Sequence, residues 1–167
     1  PDDQDAADAA TDAIRYVCDD SDWDAKRSEA WDDILVEGTC AILVGHKQTK
    51  QGIDPDLVHI DWDRYFYDPH AARVDLSDKQ YDGVVTWYDA KVAERKWPDR
   101  KDILEATMAS VSDTDTYDDK PKHNLWADAK RKRVRVIEGY YKVKGEWHRC
   151  VATKCGELEP TAPSPYI

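Results

Sequence analysis

Residues 57–97 read LVHIDWDRYFYDPHAARVDLSDKQYDGVVTWYDAKVAERKW, and this stretch decides the fold. Val58, Ile60 and Trp62 fall at every second position, the period of a strand with one buried face, which leaves His59, Asp61 and Asp63 on the other. Tyr65-Phe66-Tyr67 ends that strand, and Asp68-Pro69 stops it, because proline has no amide hydrogen to give a ladder. After a polar excursion from Asp75 to Asp82, a second strand is expected over Val84–Tyr88. Asp89 stands where a carboxylate caps a helix running through Val92 to the neighbourhood of Trp97-Pro98.

Upstream, Asp2 to Cys18 has helical spacing, with Ala6, Ala9, Ala10, Ala13, Ile14 and Val17 on one face and aspartates crowding the other. Asp19-Asp20-Ser21 breaks it. Ser21 is placed to cap a second helix, with Trp23, Ala30, Trp31, Ile34 and Leu35 along one stripe and Gly38 at its end. The two helices should pack as a pair. Thr39 to Val44 reads as a central strand, and Gly45 to Pro55 as a loop or hairpin connection.

Downstream, Pro98-Asp99 opens a helix to about Val111, with Ile103, Leu104, Met108 and Val111 on its buried side. Residues 112–129 read as an exposed loop. Its first part imitates a calcium loop, but the sixth position would be Asp118 instead of glycine and the twelfth Asn124 instead of glutamate. Residues 130–158 form a β-hairpin turning at Lys144-Gly145, and 159–167, with Pro160, Pro163 and Pro165, make an extended tail. The expected fold is one α+β domain over 1–167: a helix pair on an antiparallel or mixed sheet, one or two further helices, and the C-terminal hairpin. Its divisions are helical to 37, sheet plus helix over 39–97, and helix over 99–111.

The net charge is −11 and the sequence pI about 4.8, which argues against gripping nucleic acid by neutralising phosphates. Seven tryptophans and nine tyrosines supply large apolar surfaces for a core. No apolar run approaches the roughly 20 residues of a membrane helix, and no signal peptide opens the sequence. From Pro1 to Ile167 it reads as an excised fragment. Cys18, Cys40, Cys150 and Cys155 are scattered; their even count could mean disulfides, but the length and the absent secretion signal favour reduced thiols in a cytosolic setting.

Several residue groups invite a chemical reading. Asp61 and Asp63 could hold a divalent cation in a metal-dependent nuclease, but no third carboxylate or base stands at a defined spacing, so a solvent-facing strand edge is favoured. Cys150, Cys155 and His148 suggest zinc, yet no second ligand pair is evident, and packed cysteines are favoured. The N-terminal acids read as a solvated helix face before a calcium or partner site. No phosphate loop, dinucleotide fingerprint, nucleophile elbow or H-E-x-x-H occurs, and the five histidines are isolated, so neither enzyme, metal nor cofactor is expected. Lys130, Arg131, Lys132, Arg133 and Arg135 form a basic run in an acidic chain. It could touch nucleic acid, guard an edge strand, or pair with charges on another subunit.

The string WDRYFYDPHAARVDLSDKQYDGVVTWYDAKVAERKWPD resembles the portal proteins of tailed bacteriophages, of the short-tailed, podovirus type. The likeness extends to WDDILVEGTCAILVG upstream and to VRVIEGYYKVKGEWHRCVATKCGELEPTAPSPYI downstream, so it covers most of the chain. It implies a subunit of a ring, a dodecamer in the full-length protein, at one vertex of the phage head. DNA passes through such a ring, and the terminase packaging motor, scaffold and tail or adaptor proteins dock on it. This stretch would be the peripheral wing, outside the channel, in a virion assembled in the host cytoplasm. The alternatives are a non-catalytic binding domain that recruits a protein by strand addition at a sheet edge, and the nuclease reading of Asp61 and Asp63.

Overall fold

The computed structural model describes residues 2–50, 52–110 and 125–164, and the chain falls into two compact units, Pro1–Tyr65 and Phe66–Ile167. Among the described residues it is α+β, with four α-helices, a two-stranded sheet and a larger antiparallel sheet. The segment that imitates a calcium loop, residues 112–119, lies outside the described residues, as do Val111 and His123.

In the first unit, α1 (Asp2–Asp20) and α2 (Trp23–Glu37) are followed by strands β1 (Ala41–Gln48) and β2 (Ile53–Ile60). Gly38 ends α2 as its position predicts: φ is +79°, a conformation a side chain disfavours, and its N–H donates to the Ile34 carbonyl. The helix starts otherwise. Its N-cap is Asp22, itself left-handed, while Ser21 is buried.

β1 and β2 pair antiparallel over their whole length, from Ala41 opposite Ile60 to Gln48 opposite Ile53. The apolar run after Gly38 is therefore not a central strand, because β2 is its single partner in the sheet. Of the two readings of Gly45 to Pro55 the hairpin holds, but its turn is confined to the neighbourhood of Gly52, and Pro55 sits inside β2 opposite His46. β2 stops at Ile60, and Trp62–Arg64 forms a 3₁₀ turn. Its faces follow the expectation only in part: Ile60 is buried as expected, but Val58 and Trp62 are exposed, and the His59 side chain is largely covered. Bonds from α2 to this strand, described below, decide the matter over hydrophobic alternation.

The second unit is built around a sheet in the order β3 (Tyr65–Tyr67), β4 (Tyr81–Asp89), β6 (Arg133–Val143), β7 (Glu146–Thr153) and β8 (Gly156–Pro163). The two-residue β5 (Ala127–Asp128) pairs with the start of β6, so part of the expected loop over 112–129 is ladder. Lys144 and Gly145 both take positive φ, the geometry a tight hairpin turn requires. The C-terminal tail is likewise more than extended chain. β8 runs antiparallel to β7 as far as Pro163 opposite His148, tolerating its prolines because it is an edge strand.

Asp89 does cap α3 (Ala90–Lys96), its Oδ1 accepting the Lys91 N–H at 3.0 Å. After a 3₁₀ turn at Pro98–Arg100, α4 (Lys101–Ala109) follows. The two helices cover one face of the sheet. Ala93, Trp97, Leu104, Val134, Val136, Val151 and Leu158 form the core, with Tyr88, Ile103 and Met108 packed against it. Thr107, fully buried, donates its hydroxyl to the Ile103 carbonyl at 2.9 Å, which satisfies it within its own helix.

Candidate interaction surfaces

Acidic residues dominate the first unit and not the second. Residues 1–65 carry 17 acidic and six basic side chains, and 66–167 carry 18 of each, so the whole charge of −11 belongs to the first unit. The helices that hold these acids also hold apolar residues without cover in their own unit. On α1, residues 3–16 are all exposed, the alanine stripe and Ile14 included, and contact with the rest of the unit begins at Val17.

On α2 the inward face carries Trp23, Lys26, Ala30 and Asp33. Lys26 donates Nζ to the Leu57 carbonyl, and Asp33 Oδ2 lies 2.9 Å from His59 Nε2, with Glu29 Oε2 3.5 Å from Nδ1. These bonds tie helix to strand and rotate the apolar stripe outward. Trp31 and Leu35, one turn apart, are 59% and 66% exposed, and Ile34 and Val36 beside them are exposed too. The sequence places these residues on one helical face correctly; the side it meets is solvent.

The basic run divides. Lys130, Arg131, Lys132 and Arg133 are exposed where the chain turns from β5 into β6. The turn is fixed by the backbone: Lys132 has φ +52°, its carbonyl accepts the Ala90 N–H at 2.8 Å, and Asp128 Oδ1 accepts the Arg131 N–H at 2.9 Å. Arg135 is not part of this surface. It is half-buried, with its guanidinium 5.3 Å from the centre of the Trp126 ring and Nη1 3.5 Å from the Leu125 carbonyl, and burial lowers its pKa. Trp126 is the aromatic partner that inspection of the run alone misses.

The catalytic and metal candidates stay apart. Asp61 precedes the 3₁₀ turn and Asp63 lies within it, so they are not on one strand face; Asp61 Oδ2 instead meets Arg64 Nε at 3.1 Å. His148 and Cys150 lie on β7, and Cys155 is exposed in the turn before β8. Burial pushes the Cys150 thiol up from its ordinary value, away from the thiolate a metal would need. Among the described residues no group of three histidine, cysteine or acidic side chains is arranged to hold a metal ion. The edges of the larger sheet are a three-residue strand and a strand interrupted by Pro160 and Pro163, poor templates for strand addition.

One polar cluster escapes sequence inspection. Beside the core, Arg149 reaches Glu138 Oε1 at 2.5 Å through Nε and Glu159 Oε2 at 2.7 Å through Nη1. Glu159 also accepts the Trp97 indole N–H at 2.8 Å. Burial opposes both charges. The hydrogen bonds from Arg149 and Trp97 nevertheless hold the Glu159 carboxyl below its ordinary value, and those to Glu159 and Glu138 hold the Arg149 guanidinium above its own. The adjoining cleft, lined in part by Thr86, Tyr88, Lys96 and Val136, measures about 20 Å³, room for a water molecule. The cluster is a clasp between strands and α3.

Replacing Arg149 by leucine should destabilise the second unit by about 1–2 kcal/mol, a modest figure because water reaches all three charged groups. Since the Glu159 pKa is depressed, its contribution is complete above the ordinary 4.5 and fades as pH falls through the folded value. Urea titrations from pH 7 to pH 3 should show a shallower loss of stability in the variant; an unchanged slope would remove the clasp from the account.

Comparison with known proteins adds a finding independent of this geometry. The family model of the phage P22-like portal protein matches residues 1–160. No curated protein matches the chain.

Proposed function

The chain belongs to the phage P22-like portal protein family, a structural component of the virion that forms a ring in the capsid, and from that premise we propose how this part serves the ring. Residues 1–167 act as one wing-like domain at the periphery of a twelve-membered ring, outside the channel through which DNA is packaged and ejected. The packaging motor, scaffold and tail proteins dock on the same ring, which assembles in the host cytoplasm before it enters the virion. The domain catalyses no reaction of its own.

The observation that carries this reading is the extent of the family match, which spans both compact units. The charge distribution supports it. An acidic unit repels phosphate and gives DNA no hold, as suits a domain outside the channel, whereas neutralised phosphates would stick. Light scattering on the intact subunit should give a mass of twelve copies, and electron microscopy a ring. A compact monomer at every concentration would overturn the proposal.

A further inference from the structure

The outer face of α2 is the feature that its own unit does not account for. Trp31 and Leu35 form an apolar stripe, and the exposed acids Asp24 and Asp32 lie beside it on the helix surface. A soluble surface seldom leaves a tryptophan, a leucine, an isoleucine and a valine together in water unless another surface covers them. Here the helix spends its polar side chains, Lys26 and Asp33, on holding the strand beneath.

The chain itself carries the complement. Four exposed cations follow one another in the turn from Lys130 to Arg133, in the unit that has no net charge. Two copies meeting through the same face would set Asp24 and Asp32 of one against those of the other, each in a unit whose net charge is −11. A head-to-tail contact instead sets the acidic unit of one copy against the neutral, locally basic unit of the next. That is also the type of contact that closes into a ring.

We propose that the outer face of α2 is a subunit interface, in which a second copy covers Trp31 and Leu35 and presents its Lys130–Arg133 turn to Asp24 and Asp32. The inference rests on the ring reading above and goes beyond it by naming both faces. It gives the basic turn a protein partner and leaves DNA no part in holding it.

The test uses the intact subunit and native mass spectrometry, with circular dichroism to confirm that each variant folds. Trp31→Ser with Leu35→Ser should lower the ring fraction at fixed concentration about tenfold, as loss of a central apolar anchor does. Asp24→Lys with Asp32→Lys should lower it by roughly the same factor, and so should Lys130→Glu with Arg131→Glu. Combining the two charge reversals should restore rings to within about threefold of the unaltered subunit, a coupling that general destabilisation does not produce. Intact rings in all variants would overturn this interface and leave the portal reading standing. Rings that persist while binding of DNA or a tail protein is lost would overturn it in favour of that partner. An unaltered subunit that never forms rings would overturn both.

Discussion

Trp97→Ala should cost the second unit about 4 kcal/mol, the largest loss expected from any single side chain here. Three contributions combine. The indole is 6% exposed in the core formed with Leu104, Val134 and Leu158, so truncation leaves a cavity that α3 and the sheet cannot both close. Its ring meets Tyr88 edge-to-face, with centroids 5.4 Å apart, and carries Lys96 over its face at 4.7 Å. Its N–H donates to Glu159, and without it that partly buried carboxylate keeps only Arg149. Thermal unfolding followed by near-ultraviolet circular dichroism should show a midpoint lower by roughly 10–15 °C. A drop of under about 3 °C would mean that Trp97 is not the keystone of this core.

Gly83→Ala should cost about 3 kcal/mol on the opposite face of the sheet. Gly83 pairs with Gly139 across β4 and β6, and the ring of Phe66 fills the space where a side chain at residue 83 would stand. A methyl group at residue 83 would overlap the end of that ring and lie 2.6 Å from the Glu138 carbonyl oxygen. A backbone oxygen in a central ladder cannot withdraw. Phe66→Leu in the same background should recover part of the loss, because a shorter side chain frees that space; equal denaturation midpoints for Gly83→Ala and the unaltered protein would refute the packing account.

The contrast between these sites and α2 shows what could be deduced from the sequence. Asp89, Gly38 and Lys144-Gly145 announce a helix start, a helix end and a turn through local backbone chemistry, and local chemistry is visible in a string of letters. The core face of α4 was equally legible from Ile103, Leu104 and Met108. The orientation of α2 was not. Helical spacing groups Trp31, Ile34 and Leu35, but which face turns inward depended on Lys26 and Asp33 finding partners on a strand about 30 residues away.

The same distance hid the clasp. Glu138, Arg149 and Glu159 meet only once the register of β6, β7 and β8 is known, and charged residues interrupting an apolar strand face are the one signal that could have raised it. The basic run could be found as a cluster of letters, whereas Arg135 left it for Trp126 through the pairing of β5 with β6.

The connections between strands also order the sheet in time. β6, β7 and β8 follow one another through two tight turns, so each pairing closes a loop of a few residues. β4 reaches β6 only across residues 90–132, and closing that span costs roughly 2–3 kcal/mol more chain entropy. The three-strand meander can form before α3 and α4 have any surface to settle on, and Val134 and Val136 then serve as the template on which the earlier part of the unit is laid.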